Sequence, residues 1–172
     1  VGEDVGERGG DQRPLAASGE RRIGAPEAVL EDVGADVGFA DHHGVVEHRH
    51  VGVDEVGRGA LAGPVVVAAV QITTNVSGVT DSKQLPKHHR TQVAQRLHNR
   101  CSLIRFGSAD NHEIDTLGLS RALSVAYERA LTDVEADLVL TDHYTLPTPH
   151  RFIRATKGET LFYPVAAASV VA

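Results

Sequence analysis

Apolar and polar positions follow two different patterns on either side of residue 49. From His50 onward, short apolar runs typical of strands alternate with segments whose apolar residues recur every three or four positions, as in amphipathic helices. Strands are predicted over 51–57, 62–73, 101–109, 136–142 and 151–159, and helices over 85–100, over 112–134 despite Gly118, and from 164 onward. A Gly-rich link between the first two strands predicts a hairpin. The order predicts an α/β fold in which a mixed sheet is flanked by helices.

The first 49 residues have another texture, rich in Gly, Asp, Glu and Arg, with Asp-Val-Gly recurring at 4–6, 32–34 and 36–38. Such a composition buries little apolar surface and favours disorder. Only 25–33 has a helical pattern. We therefore divide the chain into a low-complexity extension, 1–49, and a folded domain, 50–172. One hypothesis is that the extension does not belong to the native protein and reflects a mis-set start or reading frame.

Composition narrows the class of protein. A chain of 172 residues suits one domain, and it has no apolar run near the roughly 20 residues of a membrane span. The single Cys101 forms no internal disulfide, which favours the cytoplasm. The net charge of −6 gives no indication of a basic surface that would bind nucleic acid. This counts only weakly against nucleic-acid binding, because the negative charge is unevenly placed along the chain.

Acidic residues at the ends of predicted strands are the main chemical signal. Asp54 and Glu55 end the first strand, and Asp142 ends another. Side chains alternate along a strand, so Asp54 and Glu55 share a face only if the strand breaks there, and Gly57 and Gly59 would supply that break. If the strands are neighbours, the three carboxylates need a hard cation to offset their repulsion. The alternatives are a glycine-rich hairpin with solvated charges and a turn or helix cap at Asp142.

Four motifs in order resemble the ribonuclease HII family: "GVDEVGRGALAGPVVVAAV", "VTDSKQL", "ADLVLTD" and "KGE" followed by "YPVAAASVVA". The resemblance covers residues 50–172 and implies an RNase H-like fold. It also implies an endonuclease that cuts the RNA strand of RNA/DNA hybrids, including the 5′ side of single ribonucleotides in DNA. The implied cofactors are two divalent ions, Mg²⁺ or Mn²⁺. The implied partners are such hybrids, with no membrane, for a monomeric cytoplasmic protein.

The resemblance assigns roles to individual residues. The catalytic and metal-binding carboxylates are Asp54, Glu55 and Asp142. Gly57, Arg58 and Gly59 match the element that reads the ribose 2′-hydroxyl, where a missing Cβ allows close approach. Further substrate contacts are expected from Ser82 and Lys83, although their segment is also compatible with a helix cap. Lys157 is expected to contact substrate as well, although it lies in Lys-Gly-Glu where the family more often has Lys-Gly-Asp. Ser169 is the last such residue, and a structural role suits it equally well.

Three departures from the family are expected to matter. A fourth metal-binding Asp and the last helices, with a Tyr that stacks under the junction sugar, are expected beyond Ala172, and Tyr163 is not that Tyr. His143 follows Asp142 where the family usually has Gly. The fold is therefore expected to be incomplete at the C-terminus, and the chain to be a weakly active or inactive fragment.

Other functions remain open. The histidines of "DHHGVVEHRH", His42, His43, His48 and His50, suggest zinc, but they lack the His-Glu-x-x-His order and a Cys partner. Another nuclease with the RNase H fold is a second alternative, because such an enzyme would also have scattered acidic residues. A non-catalytic module that binds RNA/DNA hybrids is the third alternative.

Overall fold

The computed structural model describes residues 49–142, 144–145 and 148–172, together with the backbone of a short strand at 27–29. The strands are β1 (Glu27–Val29), β2 (His50–Val56), β3 (Val65–Gln71), β4 (Leu103–Ala109), β5 (Leu138–Asp142) and β6 (Phe152–Ala155). The helices are α1 (Lys87–Arg100), α2 (Asn111–Leu117), α3 (Leu119–Leu131), α4 (Gly158–Leu161) and α5 (Tyr163–Val171), with a 3₁₀ turn at Ser82–Gln84.

The six strands form one mixed sheet in the order β1-β6-β5-β2-β3-β4. The antiparallel pairs are β2–β3 and β3–β4, and the parallel pairs are β2–β5, β5–β6 and β1–β6. The predicted hairpin and mixed sheet are thus confirmed. The parallel pair β2–β5 lies at the centre of the sheet and brings the carboxyl ends of its two strands together.

Helices cover both faces of this sheet, because side chains of alternate residues point to opposite sides of each strand. On one face, buried residues of α3 pack on Val51, Val53 and Val139. On the other, α5 packs with α1 on Ala68 and Val70, and its Val165 packs with Leu140 and Ile153. Each central strand therefore contributes to two separate apolar layers.

Two predictions of helices are wrong. The helix predicted over 112–134 is two helices, because Gly118 adopts φ +77 and ψ 152, which ends α2 and starts α3 in a new direction. The helical pattern at 25–33 instead contains β1, since 27–29 pairs with the exposed edge of β6. Residues 1–26 and 30–48, on which the proposed disorder and three of the four histidines fall, lie outside the described residues, as does His143.

No helix in the described part of the chain combines the length and apolar character needed to cross a membrane.

Candidate active site at the carboxyl ends of β2 and β5

Asp54 and Asp142 lie at the same end of the two central parallel strands. The register pairs Val53 with Thr141, so each acid is the next residue on its strand. The environment raises the pKa of Asp54 from its ordinary value of 3.8 to about 7. Burial is the largest cause, followed by the negative charges of Glu55, Glu159 and Asp142. The charges of three other carboxylates therefore act on Asp54.

Glu55 lies on the opposite face of the sheet from Asp54, contrary to the predicted break in the strand. The strand pairs with β3 without interruption through Val56, so the alternation of side chains continues past the two acids. Glu55 consequently lies on the α3 side, where its Oε2 accepts a hydrogen bond of 2.5 Å from the hydroxyl of Tyr127. Its Oε1 lies 3.2 Å from the guanidinium of Arg58.

Asp142 is held by the start of α4. Its Oδ1 accepts a hydrogen bond of 3.0 Å from the backbone N–H of Gly158. A Cβ on Gly158 would lie 2.9 Å from the carbonyl oxygen of Thr141 and 3.0 Å from the Cα of Asp142, so only glycine fits without displacement. This contact fixes α4 against the end of β5.

Glu159 is the site residue that the sequence analysis missed. It follows Gly158, and its charge is among the causes of the raised pKa of Asp54. Its Oε1 lies 3.9 Å from the ammonium of Lys83. Its Oε2 is buried and has no hydrogen-bond partner among the described residues. The available signal was the acid directly after Lys-Gly, at a position where the family more often has Asp.

The segment Gly57–Arg58–Gly59 directly follows β2 and is called the rim of the site below. Gly57 has φ +104, and a Cβ there would meet the carbonyl oxygen of Pro64 at 2.5 Å. Its own carbonyl accepts a hydrogen bond of 3.1 Å from Ala60. A Cβ at Gly59, in contrast, would meet nothing within 4 Å. Arg58 is exposed and forms an ion pair with Glu55.

The other predicted contact residues occupy three positions. Ser82 and Lys83 lie in the 3₁₀ turn, where Asp81 accepts a hydrogen bond from the N–H of Lys83, so the alternative capping role is present. Ser169 on α5 accepts a hydrogen bond of 3.2 Å from the N–H of Ser82 and donates one to Ala166. Lys157 is exposed and left-handed, with φ 63. Ser169 thus ties the turn to α5.

The acidic groups do not already form a ready metal cage. Within the part of the chain that the structure describes, no three Asp, Glu, His or Cys side chains lie close enough together to hold an ion. Of the four histidines considered for zinc, the structure describes only His50, in β2.

Comparisons with known proteins agree with this architecture. The family model described as Ribonuclease HII matches residues 51–172. A Ribonuclease HII from a Synechococcus species is 44% identical over 133 residues, covering 72% of this chain and 59% of the relative. One from Staphylococcus aureus is 31% identical over 173 residues, covering 96% of this chain and 67% of the relative. The chain thus spans about six-tenths to two-thirds of the length of these relatives.

Solved structures support the fold. The PCNA:RNase HII complex from Archaeoglobus fulgidus contains a chain that matches with a TM-score of 0.62 at 23% identity, covering 72% of this chain and 70% of that chain. Bst-RNase HIII in complex with Mn²⁺ matches with a TM-score of 0.55 at 23% identity, covering 72% and 50%. At this identity the likeness concerns the fold, and it confirms the predicted mixed sheet flanked by helices.

Proposed function

Because the chain belongs to the ribonuclease HII family, we propose that it is the catalytic part of an endonuclease that hydrolyses the RNA strand of RNA/DNA hybrids. The proposed substrates include DNA that contains single ribonucleotides, cut on the 5′ side of the ribonucleotide. The observation that carries the proposal is that Asp54 and Asp142 lie at the same end of the paired parallel strands β2 and β5, with Glu159 directly after Gly158, whose N–H holds Asp142.

Divalent cations, Mg²⁺ or Mn²⁺, fit the chemistry of this set of donors. Hard cations prefer oxygen ligands, and Glu159 offers a buried Oε2 that lacks a hydrogen-bond partner among the described residues. A cation would also favour the ionised form of Asp54, whose pKa is raised by burial and then by the neighbouring negative charges. We assign Asp54, Asp142 and Glu159 as the residues that would hold it from one face, and Glu55 as the residue that would reach it from the other. Two such ions, if held there, would supply activation of a water and stabilisation of the leaving oxygen of a phosphodiester.

The segment Gly57–Arg58–Gly59 is proposed to recognise the ribose of RNA. The open space around Gly59 leaves its backbone free for close approach by a sugar, and the 2′-hydroxyl is the group that distinguishes RNA from DNA. Arg58 and Lys83 carry exposed positive charges on either side of the acids, suited to neighbouring phosphates. Lys157 is assigned to the same phosphate-binding role because it is exposed beside Gly158. Ser169 is assigned to positioning Ser82.

The test is cleavage of a hybrid duplex and of a DNA duplex with one ribonucleotide, in Mg²⁺ and in EDTA. Metal-dependent cuts that leave a 3′-hydroxyl and a 5′-phosphate are expected, and their loss in Asp54→Asn but not in Asp115→Asn, an exposed acid on α2, assigns them to this site.

A hybrid-binding module without catalysis is the second candidate. It is favoured by one observation: no three potential ligands among the described residues are close enough to hold an ion. Tight binding of the ribonucleotide-containing duplex without any metal-dependent cut would replace the nuclease proposal with this one.

A further inference from the structure

A tyrosine of the core contacts the site from behind. Tyr127 lies on α3, is fully buried, and packs in the same apolar cluster as Val51 and Val53 of β2. Its hydroxyl emerges at the end of this cluster and donates a hydrogen bond of 2.5 Å to Oε2 of Glu55. A buried hydroxyl requires a partner, and a carboxylate is a strong one. The aromatic ring thus connects α3 directly to one acid of the site.

The ring of Tyr127 is itself fixed. Tyr144 stacks on it with ring centroids 4.8 Å apart and planes 8° from parallel. The hydroxyl of Tyr144 lies 3.0 Å from that of Ser124 and donates to the carbonyl of Ser120 at 3.3 Å, so the second ring is anchored to α3. Together these contacts leave the hydroxyl of Tyr127 little freedom relative to β2.

The two oxygens of Glu55 consequently have different surroundings. Oε2 faces the core and is held by Tyr127. Oε1 faces the rim, where its partner Arg58 has a side chain that is 58% exposed, whereas the side chain of Glu55 is only 13% exposed. The fixed oxygen sets the orientation of the carboxylate, and the other oxygen is paired with the guanidinium of Arg58, which a cation would have to replace.

We propose that Tyr127 is a positioning residue, which orients the carboxylate of Glu55 for a divalent cation by holding Oε2 from the core. This inference rests on the proposed function. Hydrogen bonds from residues behind a ligand orient it before the metal arrives, and their loss typically weakens metal affinity about 10- to 100-fold. The residue acts through Glu55 and does not touch the substrate.

Tyr127→Phe removes the hydroxyl and keeps the ring, and Tyr144→Phe is the matched control because its hydroxyl bonds α3 instead of Glu55. The probe is Mn²⁺ alone, with free Mn²⁺ followed by its electron paramagnetic resonance signal. Tyr127→Phe should weaken Mn²⁺ binding by about 10-fold, and Tyr144→Phe by less than about 2-fold. In cleavage assays, Tyr127→Phe should raise the metal concentration needed for half-maximal rate much more than it lowers the rate at saturating metal.

A double-mutant cycle separates positioning from simple loss of packing. If Tyr127 acts through Glu55, Tyr127→Phe should have no further effect on Mn²⁺ affinity in the Glu55→Gln background. Equal Mn²⁺ affinities of wild type and Tyr127→Phe, or equal losses in the two Tyr variants, would overturn this inference and leave the nuclease proposal standing. A wild-type chain that takes up no Mn²⁺ would overturn the metal-dependent function, and the inference with it.

Discussion

Replacing Asp54 by Asn should stabilise the metal-free protein above neutral pH, although it removes a proposed catalytic group. The folded state raises the pKa of Asp54 from 3.8 to about 7, chiefly by burial and then by Glu55, Glu159 and Asp142. Between these two values the folded state binds a proton that the unfolded state has lost. Stability therefore falls as the pH rises through this interval. Asn stays neutral throughout and escapes this loss.

The magnitude follows from about 1.36 kcal/mol for each pKa unit. A shift of roughly three units corresponds to about 4 kcal/mol once Asp54 is fully ionised, of which about 3 kcal/mol develops between about pH 5 and about pH 8. Partial access of water and movement of the carboxylates reduce the measured figure, so this value is an upper bound. Even half of it is a large fraction of the stability of a small domain.

The assay is urea denaturation in EDTA at about pH 5 and about pH 8 for wild type, Asp54→Asn and Asp115→Asn. The advantage of Asp54→Asn over wild type should grow by about 2–3 kcal/mol between the two pH values, and Asp115→Asn should follow wild type. Addition of Mg²⁺ at about pH 8 should then stabilise wild type more than Asp54→Asn. An advantage that is the same at both pH values, or an Asn variant less stable than wild type at the higher pH, would refute the argument.

Three further changes test other parts of the site. Glu159→Gln should reduce the cleavage rate by at least about 10-fold. Glu159→Asp should keep measurable activity, because Asp retains the carboxylate. Equal cleavage rates in Glu159→Gln and wild type would remove Glu159 from the site. Gly158→Ala should destabilise the fold by about 1–3 kcal/mol in urea denaturation, since its Cβ would meet the carbonyl oxygen of Thr141 at 2.9 Å, and an unchanged midpoint would contradict this packing. Ser169→Ala should cost about 1 kcal/mol and raise KM for the hybrid with kcat nearly unchanged, because it frees the N–H of Ser82; a loss confined to kcat would argue against a positioning role.

The sequence predicted that Asp54 and Asp142 would lie at one edge of the sheet if their strands were neighbours, because both strands appear as apolar runs that end in an acid. Carboxyl ends of neighbouring parallel strands share one edge of a sheet, so strand neighbourhood alone places these side chains. The hairpin β2–β3 was equally predictable, because glycines lie between two runs of β-branched residues. Residue pattern and turn chemistry are sufficient for such local decisions.

The position of Glu159 depends on contacts that no pattern contains. It reaches the site because β6 ends, Lys157 adopts a left-handed conformation, and Gly158 packs against Asp142. The orientation of Glu55 was mispredicted for a related reason. Glycines after an acid suggested the end of a strand, whereas pairing with β3 extends β2 through Val56. Tertiary pairing overrides the local preference of the chain in both places.

Asp54 and Glu55 are consecutive in β2 and face opposite sides of the sheet. The acids of the site are therefore supported by two different helical layers. Glu55 depends on α3 through Tyr127, whereas Asp142 and Glu159 depend on the junction between β5 and α4. Directed evolution of one layer would therefore change the support of one half of the acidic set directly, and the other half only through the charges that act on Asp54. Libraries randomised separately in α3 and around α4 would measure how far the two halves of the proposed site can be changed separately.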